Sequence, residues 1–457
     1  MKLLRIGIVM TLVWAMPTWS NGVHEFKLKN GLKLIVKEDH RSPVVVTQVW
    51  YKVGSSYETN GTSGVSHILE HMMFKGTRKL KPGEFSQIIS ANGGSENAFT
   101  GQDYTAYFQT FEKSRLLISF KHESDRMRNL VIINKEFQKE RDVVIEERRL
   151  RTEDKPKSLT YERFKTVAFE SSPYRIPVIG TMNDLQNMQV KDLERWYQRW
   201  YAPNNAVVVV VGDVNPKAVF KMAKKYFGKL KPSKVPPPKP QIEVPQSGIK
   251  RIQVQTPARL PFVILGYKVP VIKTAKAQWE PYAMEVLAWV LDGGSSARFE
   301  KELVRKQQVA TSIGISYDPY ARLGSLLRMQ GTPAHKKTVR DLEKAIREQV
   351  NQLKIKLVSN KELERVKAQI VAQKVFQKDS MFYQGMNIGL LETVGHSWKL
   401  DNEFVKRINQ VTPAQIQKLA RKYLIEKRLT VATLKPLPLS MRKPRRRSAI
   451  KGGRHGR

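Results

Sequence analysis

G-V-S-H-I-L-E-H-M-M-F-K-G-T, residues 64–77, sets two histidines and a glutamate inside an otherwise apolar run. If the run is helical, each residue advances about 100°, so His67 and His71 lie roughly 40° apart on successive turns. Glu70 then falls about 60° to the other side of His67, and all three heads converge on one point. Two imidazoles at i and i+4 suit a tetrahedral zinc ion, and a neighbouring carboxylate suits proton transfer from a water activated there. The order is the reverse of H-E-x-x-H. Five residues are a short signal, so a third ligand is needed.

Residues 136–153 supply acids in a stretch that reads as helix: Glu136, Glu140, Asp142, Glu146, Glu147 and Glu153. Glu140 and Glu147 stand seven apart, about 20° off one line, with Val143 and Val144 between them. Glu146 is turned about 100° from Glu147, toward Asp142 and Lys139. Glu147 is therefore the better third ligand, with Glu140 behind it to orient a ligand histidine. A solvated, salt-bridged helix with no inward acid is the alternative that geometry leaves open.

These stretches, with N-A-F-T-G-Q-D-Y-T-A-Y (97–107), E-R-D-V-V-I-E-E (140–147), S-P-Y-R-I-P-V-I-G (172–180) and W-Y-A-P-N-N-A-V-V-V-V-V-G-D (200–213), resemble the insulinase/pitrilysin-type zinc peptidases. That family includes the mitochondrial processing peptidase subunits. The resemblance implies an α+β fold of two duplicated domains, each a mainly antiparallel sheet packed with helices, arranged like a clamshell. It implies Zn²⁺ held by His67, His71 and Glu147, with Glu70 as general base and Glu140 in support. It further implies that Asn97, Ala98 and Phe99, read as preceding a strand over 104–110, receive substrate backbone by strand addition. Arg305, after G-G-S-S-A-R (293–298), matches a substrate-clamping arginine of the family. The tyrosine that accompanies it there is Ser312 here, with Tyr317 the nearest aromatic, which fits a homodimer or a pairing with an inactive homologous subunit.

The chain has 457 residues, enough for two or three sizeable cores, and no cysteine, so nothing in it is redox-active. Lys2 and Arg5 precede an apolar run over 6–16 and small residues near Ser20, the pattern of a secretory signal spanning 1–22. An exported protein, periplasmic or secreted, is the expectation; an uncleaved anchor is the alternative. The formal net charge is +39, and residues 441–457 carry eight cations and no acid. A tail over 438–457 without apolar pattern reads as disordered and suited to weak binding of anionic surfaces. The body has no nucleic-acid signature, which excludes specific nucleic-acid recognition as its role.

Residues 23–53 alternate apolar and polar side chains around an Asn30-Gly31 turn, and Val207 to Val211 reads as a strand buried on both faces. A catalytic domain is expected over 23–228, a Pro/Lys-rich linker over 229–247, and a second domain over 248–437. Gln189 to Tyr201 and Gln410 to Tyr423 resemble each other, each an amphipathic helix before a β-rich stretch. The second copy offers only His335, His396 and the tail's His455, none at i, i+4, so it is metal-free. His24, His40 and His122 have no partner at ligand spacing and read as surface residues. The implied activity is hydrolysis of peptides or unfolded segments; a non-catalytic peptide-binding or assembly subunit is the competing class.

Overall fold

Residues 22–237 and 242–441 are described by a computed structural model. The expected signal, but for Gly22, and the basic tail from residue 442 lie outside the described residues. Two sheets organise the chain. The first contains β1 (Val23–Lys27), β2 (Lys33–Glu38), β3 (Val44–Tyr51), β4 (Ser95–Thr100), β5 (Thr105–Glu112) and β6 (Ala206–Gly212), in the order β1-β2-β6-β3-β5-β4. The second contains β7 (Lys250–Pro257), β8 (Phe262–Val269), β9 (Ala310–Ser316), β10 (Ser325–Pro333) and β11 (Leu429–Leu437), in the order β7-β11-β8-β10-β9.

Apart from β1, the two orders are one pattern. β2 runs parallel to β6 as β7 runs parallel to β11, and every other neighbouring pair is antiparallel. This is the α+β duplication expected from the sequence.

The valine run explains how the halves are joined. Val207 through Val211 are all buried, although a strand shows alternate residues to opposite faces. Val208 and Val210 enter the core under the first half's own helices. Val207, Val209 and Val211 instead pack with Ile35, Trp50 and Ile388. Ile388 belongs to a helix of the second half, Met381–Thr393, laid across the outer face of the first sheet. The exchange is reciprocal, because the helix Pro156–Ala168 of the first half crosses to the second sheet. There Phe164 and Ala168 pack with Phe262, Ile264, Ala432 and Leu434.

Glycines permit both approaches. A Cβ on Gly389 would stand 2.1 Å from Trp50 Nε1, and one on Gly266 would stand 2.4 Å from Phe164 Cζ. Ion pairs flank the exchanged helices: Lys33 with Glu392 at 2.7 Å, and Arg322 with Asp103 at 2.9 Å. The proline-rich segment is pinned at its far end by Glu243, whose carboxylate accepts the Ser172 N–H at 2.8 Å and pairs with Lys268 at 2.6 Å.

Candidate metal centre

The motif helix spans Val65–Met72. Val65, Ile68, Leu69 and Met72 are buried in the first core, which turns His67, Glu70 and His71 to the opposite side. Its start is fixed from outside. Gly64 has φ +91°, and a Cβ there would meet the Ile179 carbonyl oxygen at 2.8 Å. The Glu58 carboxylate, fully enclosed, accepts the N–H groups of Gly64 at 2.7 Å and Ser66 at 2.9 Å. Those donors have no partner within the helix, and a negative charge there opposes the positive end of the helix dipole. Enclosure nonetheless pushes the Glu58 carboxyl up to about 7, against those hydrogen bonds.

The acidic helix spans Asn134–Arg148 and widens into a π-helical turn over Arg149–Glu153, which begins two residues after Glu147. Such widenings interrupt regular bonding and often mark sites of function. Arg148 fixes this end, donating to the Gly180 carbonyl at 2.6 Å and forking onto Glu162 at 2.9 and 2.8 Å. Glu146 faces away, toward Arg149.

Folding brings one Glu147 oxygen to 3.5 Å from His71 Nε2 and 3.8 Å from His67 Nε2. The three donor atoms lie within 4.8 Å of one another, and this is the one such group found among the described residues. These gaps exceed hydrogen-bond length but approach the roughly 3.3 Å that ligand atoms adopt around a tetrahedral zinc with bonds of about 2.05 Å. Two nitrogens and one carboxylate oxygen, with a fourth side open to a cavity, are a donor set that fits zinc. Glu140 accepts from His71 Nδ1 at 3.2 Å, which leaves Nε2 facing Glu147, and Lys75 pairs with Glu140 at 2.8 Å. The other Glu147 oxygen pairs with Arg151 at 2.7 Å.

Charge follows this arrangement. Burial, with His71 nearby, pushes His67 down to about 4, so its ring is neutral. Burial also disfavours the His71 cation, yet Glu140 and Glu147 outweigh it and raise His71 to about 9. Glu147 and Glu140 are both lowered: burial opposes this, and the adjacent histidines and cations prevail. Glu70 moves the other way, raised by burial, while the Thr100 hydroxyl donating at 2.5 Å works against the rise.

Asn97, Ala98 and Phe99 do not merely precede a strand. They form β4, paired to β5 on one side and lying at the sheet's edge on the other. The strand expected over 104–110 is β5, displaced by a residue or two. β4 lines the cavity of about 880 Å³ that also contains His67, Glu70, His71 and Glu147. Arg305 is elsewhere: exposed, donating to the Ser295 carbonyl, 3.9 Å from Glu300, and outside that cavity's lining. His122, expected at the surface, is buried with its ring centre 5.4 Å from that of Phe85. Glu58, Thr100 and Arg148 were not singled out from sequence. Thr100 acts on Glu70 and Arg148 on the Gly180 carbonyl, each thirty or more positions away, and Glu58 acts on backbone N–H groups six and eight residues on, which no side-chain pattern marks.

Two family models match the chain: one described as insulinase (peptidase family M16) over residues 33–182, the other as the peptidase M16 inactive domain over residues 187–370. A crystal structure of a protease from Helicobacter pylori is 31% identical, covers 91% of this chain and 99% of its own, and superposes with a TM-score of 0.85. The chain belongs to the insulinase family of peptidases. It is also similar to zinc protease PqqE of Helicobacter pylori, 40% identical over 62% of this chain and 64% of that protein, so the match spans just under two thirds of the relative. An uncharacterized zinc protease of Streptomyces coelicolor is 26% identical over 91% of this chain and 90% of its own. The fold alone is shared with a peptidase M16 inactive domain from Pseudomonas fluorescens, at a TM-score of 0.81, 14% identity and coverage of 91% and 98%. The inactive-domain model starts at residue 187, after His67, His71 and Glu147, and no such ligand group lies among the described residues it covers.

Proposed function

We propose that this chain is an exported zinc-dependent endopeptidase acting on peptides or unfolded segments. The observation that carries the reading is the convergence of His67, His71 and Glu147 beside Glu70, at the wall of a cavity whose other wall is an open strand edge. His67 and His71 through Nε2, with Glu147, would hold the ion, and Glu140 holds the His71 ring in the tautomer that presents Nε2. The ion supplies Lewis-acid chemistry, polarising the scissile carbonyl and making water acidic.

The chain's own groups do the rest. β4 offers unpaired backbone groups to an extended peptide, so selection falls on segments without structure. Glu70, enclosed and oriented by Thr100, accepts a proton from the attacking water and returns it to the leaving amine. Its raised pKa suits both steps, since a stronger base accepts more readily at neutral pH.

Zinc protease names among the relatives support the choice of metal and reaction. Export rests on the N-terminal sequence, and no described helix is long and apolar enough to cross a membrane. Because Arg305 stays outside the cavity, the family's clamp falls to a second subunit, the same chain or an inactive homologue. Light scattering that finds only monomers in active material would remove that assembly.

The test is digestion of a fluorogenic peptide library by purified protein, with and without a chelator, beside elemental analysis. One zinc per chain and chelator-sensitive cleavage are expected. Active protein without stoichiometric metal would end the hydrolase reading.

A further inference from the structure

We propose that Lys165 and Arg328 form a subsite next to the metal centre that receives a carboxylate of the bound peptide. The inference deepens the peptidase reading and rests on it for the ligand being a peptide. The helix Pro156–Ala168 has two working faces. Phe164 and Ala168 hold the second sheet, while Ser158, Tyr161, Glu162 and Lys165, at three- and four-residue spacing, line the cavity of about 880 Å³. Tyr161 and Lys165 also border an adjoining cavity of about 280 Å³, where Arg328 arrives from β10. The two cavities therefore meet where the halves meet.

Two cations share one ring at that junction. The Arg328 guanidinium carbon is 4.3 Å from the centre of Tyr161, and Lys165 Nζ is 5.9 Å from it. Arg328 Nε is buried with no hydrogen-bond partner among the described residues. The nearby acids are engaged elsewhere: Glu162 by the Arg148 fork, and Asp103 by Arg322, Ser56 and Tyr174. Asp318 borders the smaller cavity but accepts from the Tyr320 N–H and makes no ion pair with either cation. Arg151, by contrast, has Glu147.

Two like charges held together disfavour one another, and Glu162 and Asp103, engaged elsewhere, offset this only in part for Lys165. Burial, with Arg328 beside it, pulls Lys165 down to about 8. A carboxylate entering between them would relieve that repulsion, meeting a planar fork on one side and a point charge on the other. The chain's large positive charge gives acidic peptides a general attraction; this junction gives that attraction a place.

The experiment uses the zinc-loaded full chain carrying Glu70→Gln, so that peptides stay intact, and reads affinity by fluorescence anisotropy. The probes are labelled neutral peptides in which a single Glu, or Gln in its place, walks along the backbone, each as free acid and as C-terminal amide. At one position the Glu peptide should bind roughly ten- to hundredfold tighter than its Gln twin, the range for a hydrogen-bonded charge. Lys165→Met and Arg328→Met should each erase most of that ratio, and Lys165→Glu should transfer the preference to a Lys peptide. A preference that follows the free acid instead assigns the site to the peptide's end. Equal affinities throughout, no binding, or a ratio unmoved by both variants overturns the subsite. If Arg328→Met does not fold, the cavity-facing Lys165→Met decides. Failure of the peptidase reading appears separately, as absence of chelator-sensitive cleavage by the unsubstituted chain.

Discussion

The helix that follows β3 carries His67, Glu70 and His71; the helix that follows β8, Glu280–Asp292, occupies the matching place in the second half and carries Val286, Leu287, Val290 and Leu291, all fully buried. Further along, the acidic helix offers Glu140 and Glu147, whereas Asn360–Gln377 buries Val366 and Ile370 and commits Lys374 to Asp401. Even the crossing helices correspond, each lying on the other half's sheet. One scaffold thus appears twice, with a cluster of possible metal ligands in one copy and apolar packing at the matching places in the other. The second half builds its sheet and helices with no such donor group among its described residues; the donor set of the first half depends on only a few inward positions. Such separation of fold from function is why the site, and not the architecture, carries the assignment.

The largest effect should come from removing what the second copy lacks. Glu70→Gln should keep one zinc per chain and lower peptide turnover by about 10²–10⁴, the usual contribution of a positioned acid–base group. His71→Ala should lose the metal itself, and combining it with Glu70→Gln should cost little more, because a site that fails as a unit gives non-additive losses. Turnover and metal content, measured together on the three proteins, check both statements. Retained turnover in Glu70→Gln would take the proton-transfer role away from Glu70 and with it the difference drawn between the two halves.

The exchanged helices can be weighed next. Phe164→Ala removes a fully buried ring at the contact with the second sheet and should destabilise the protein by about 3–5 kcal/mol in denaturant unfolding. If the second half unfolds alone in that variant, the crossing helix is what makes the halves one cooperative unit.

Much of the first copy was readable in its primary structure, and the reasons are local. Two histidines at i, i+4 define their own geometry once the helix forms. Five valines in a row can only be a strand covered on both faces, and they were. β4 was missed as a strand because S-E-N-A-F-T shows no apolar alternation; it is set by pairing with β5 and is half exposed at an edge. His122 was misread because a lone histidine gives no sign of the Phe85 ring it meets. The crossing helices and the Lys165–Arg328 meeting depend on contacts between residues from about ninety to more than two hundred positions apart. No spacing rule reaches that far.

A smaller effect concerns the second layer of carboxylates. Glu140→Gln keeps the shape beside His71 Nδ1 but removes the charge that holds the imidazole, and metal affinity or activity should fall about 10–100-fold. The same variant tests a pH dependence. With His71 raised to about 9, the ion must displace a proton from that ring below that pH, so zinc should bind more tightly as pH rises toward 9. Burial alone lowers His71, so Glu140→Gln should bring its pKa down and narrow the window of proton release. Calorimetry of zinc binding in buffers of different ionisation enthalpy counts the protons; an unchanged count in the variant would deny Glu140 its role.

The smallest effect lies at Thr100, where β4 touches Glu70, the proposed general base. Enclosure raises the Glu70 carboxyl, and the Thr100 hydroxyl, donating to it at 2.5 Å, favours the ionised form and limits the rise. Thr100→Val keeps the volume and removes the donor, so the Glu70 pKa should climb further. Because the base works only when ionised, the acid limb of the kcat/KM profile should move to higher pH, by about one unit if the bond contributes about 1.4 kcal/mol to the anion. At pH well above that limb the variant should keep most of its turnover. A purely structural role for Thr100 predicts a uniform loss at every pH instead, and a limb that stays in place would separate the strand edge from the proton transfer.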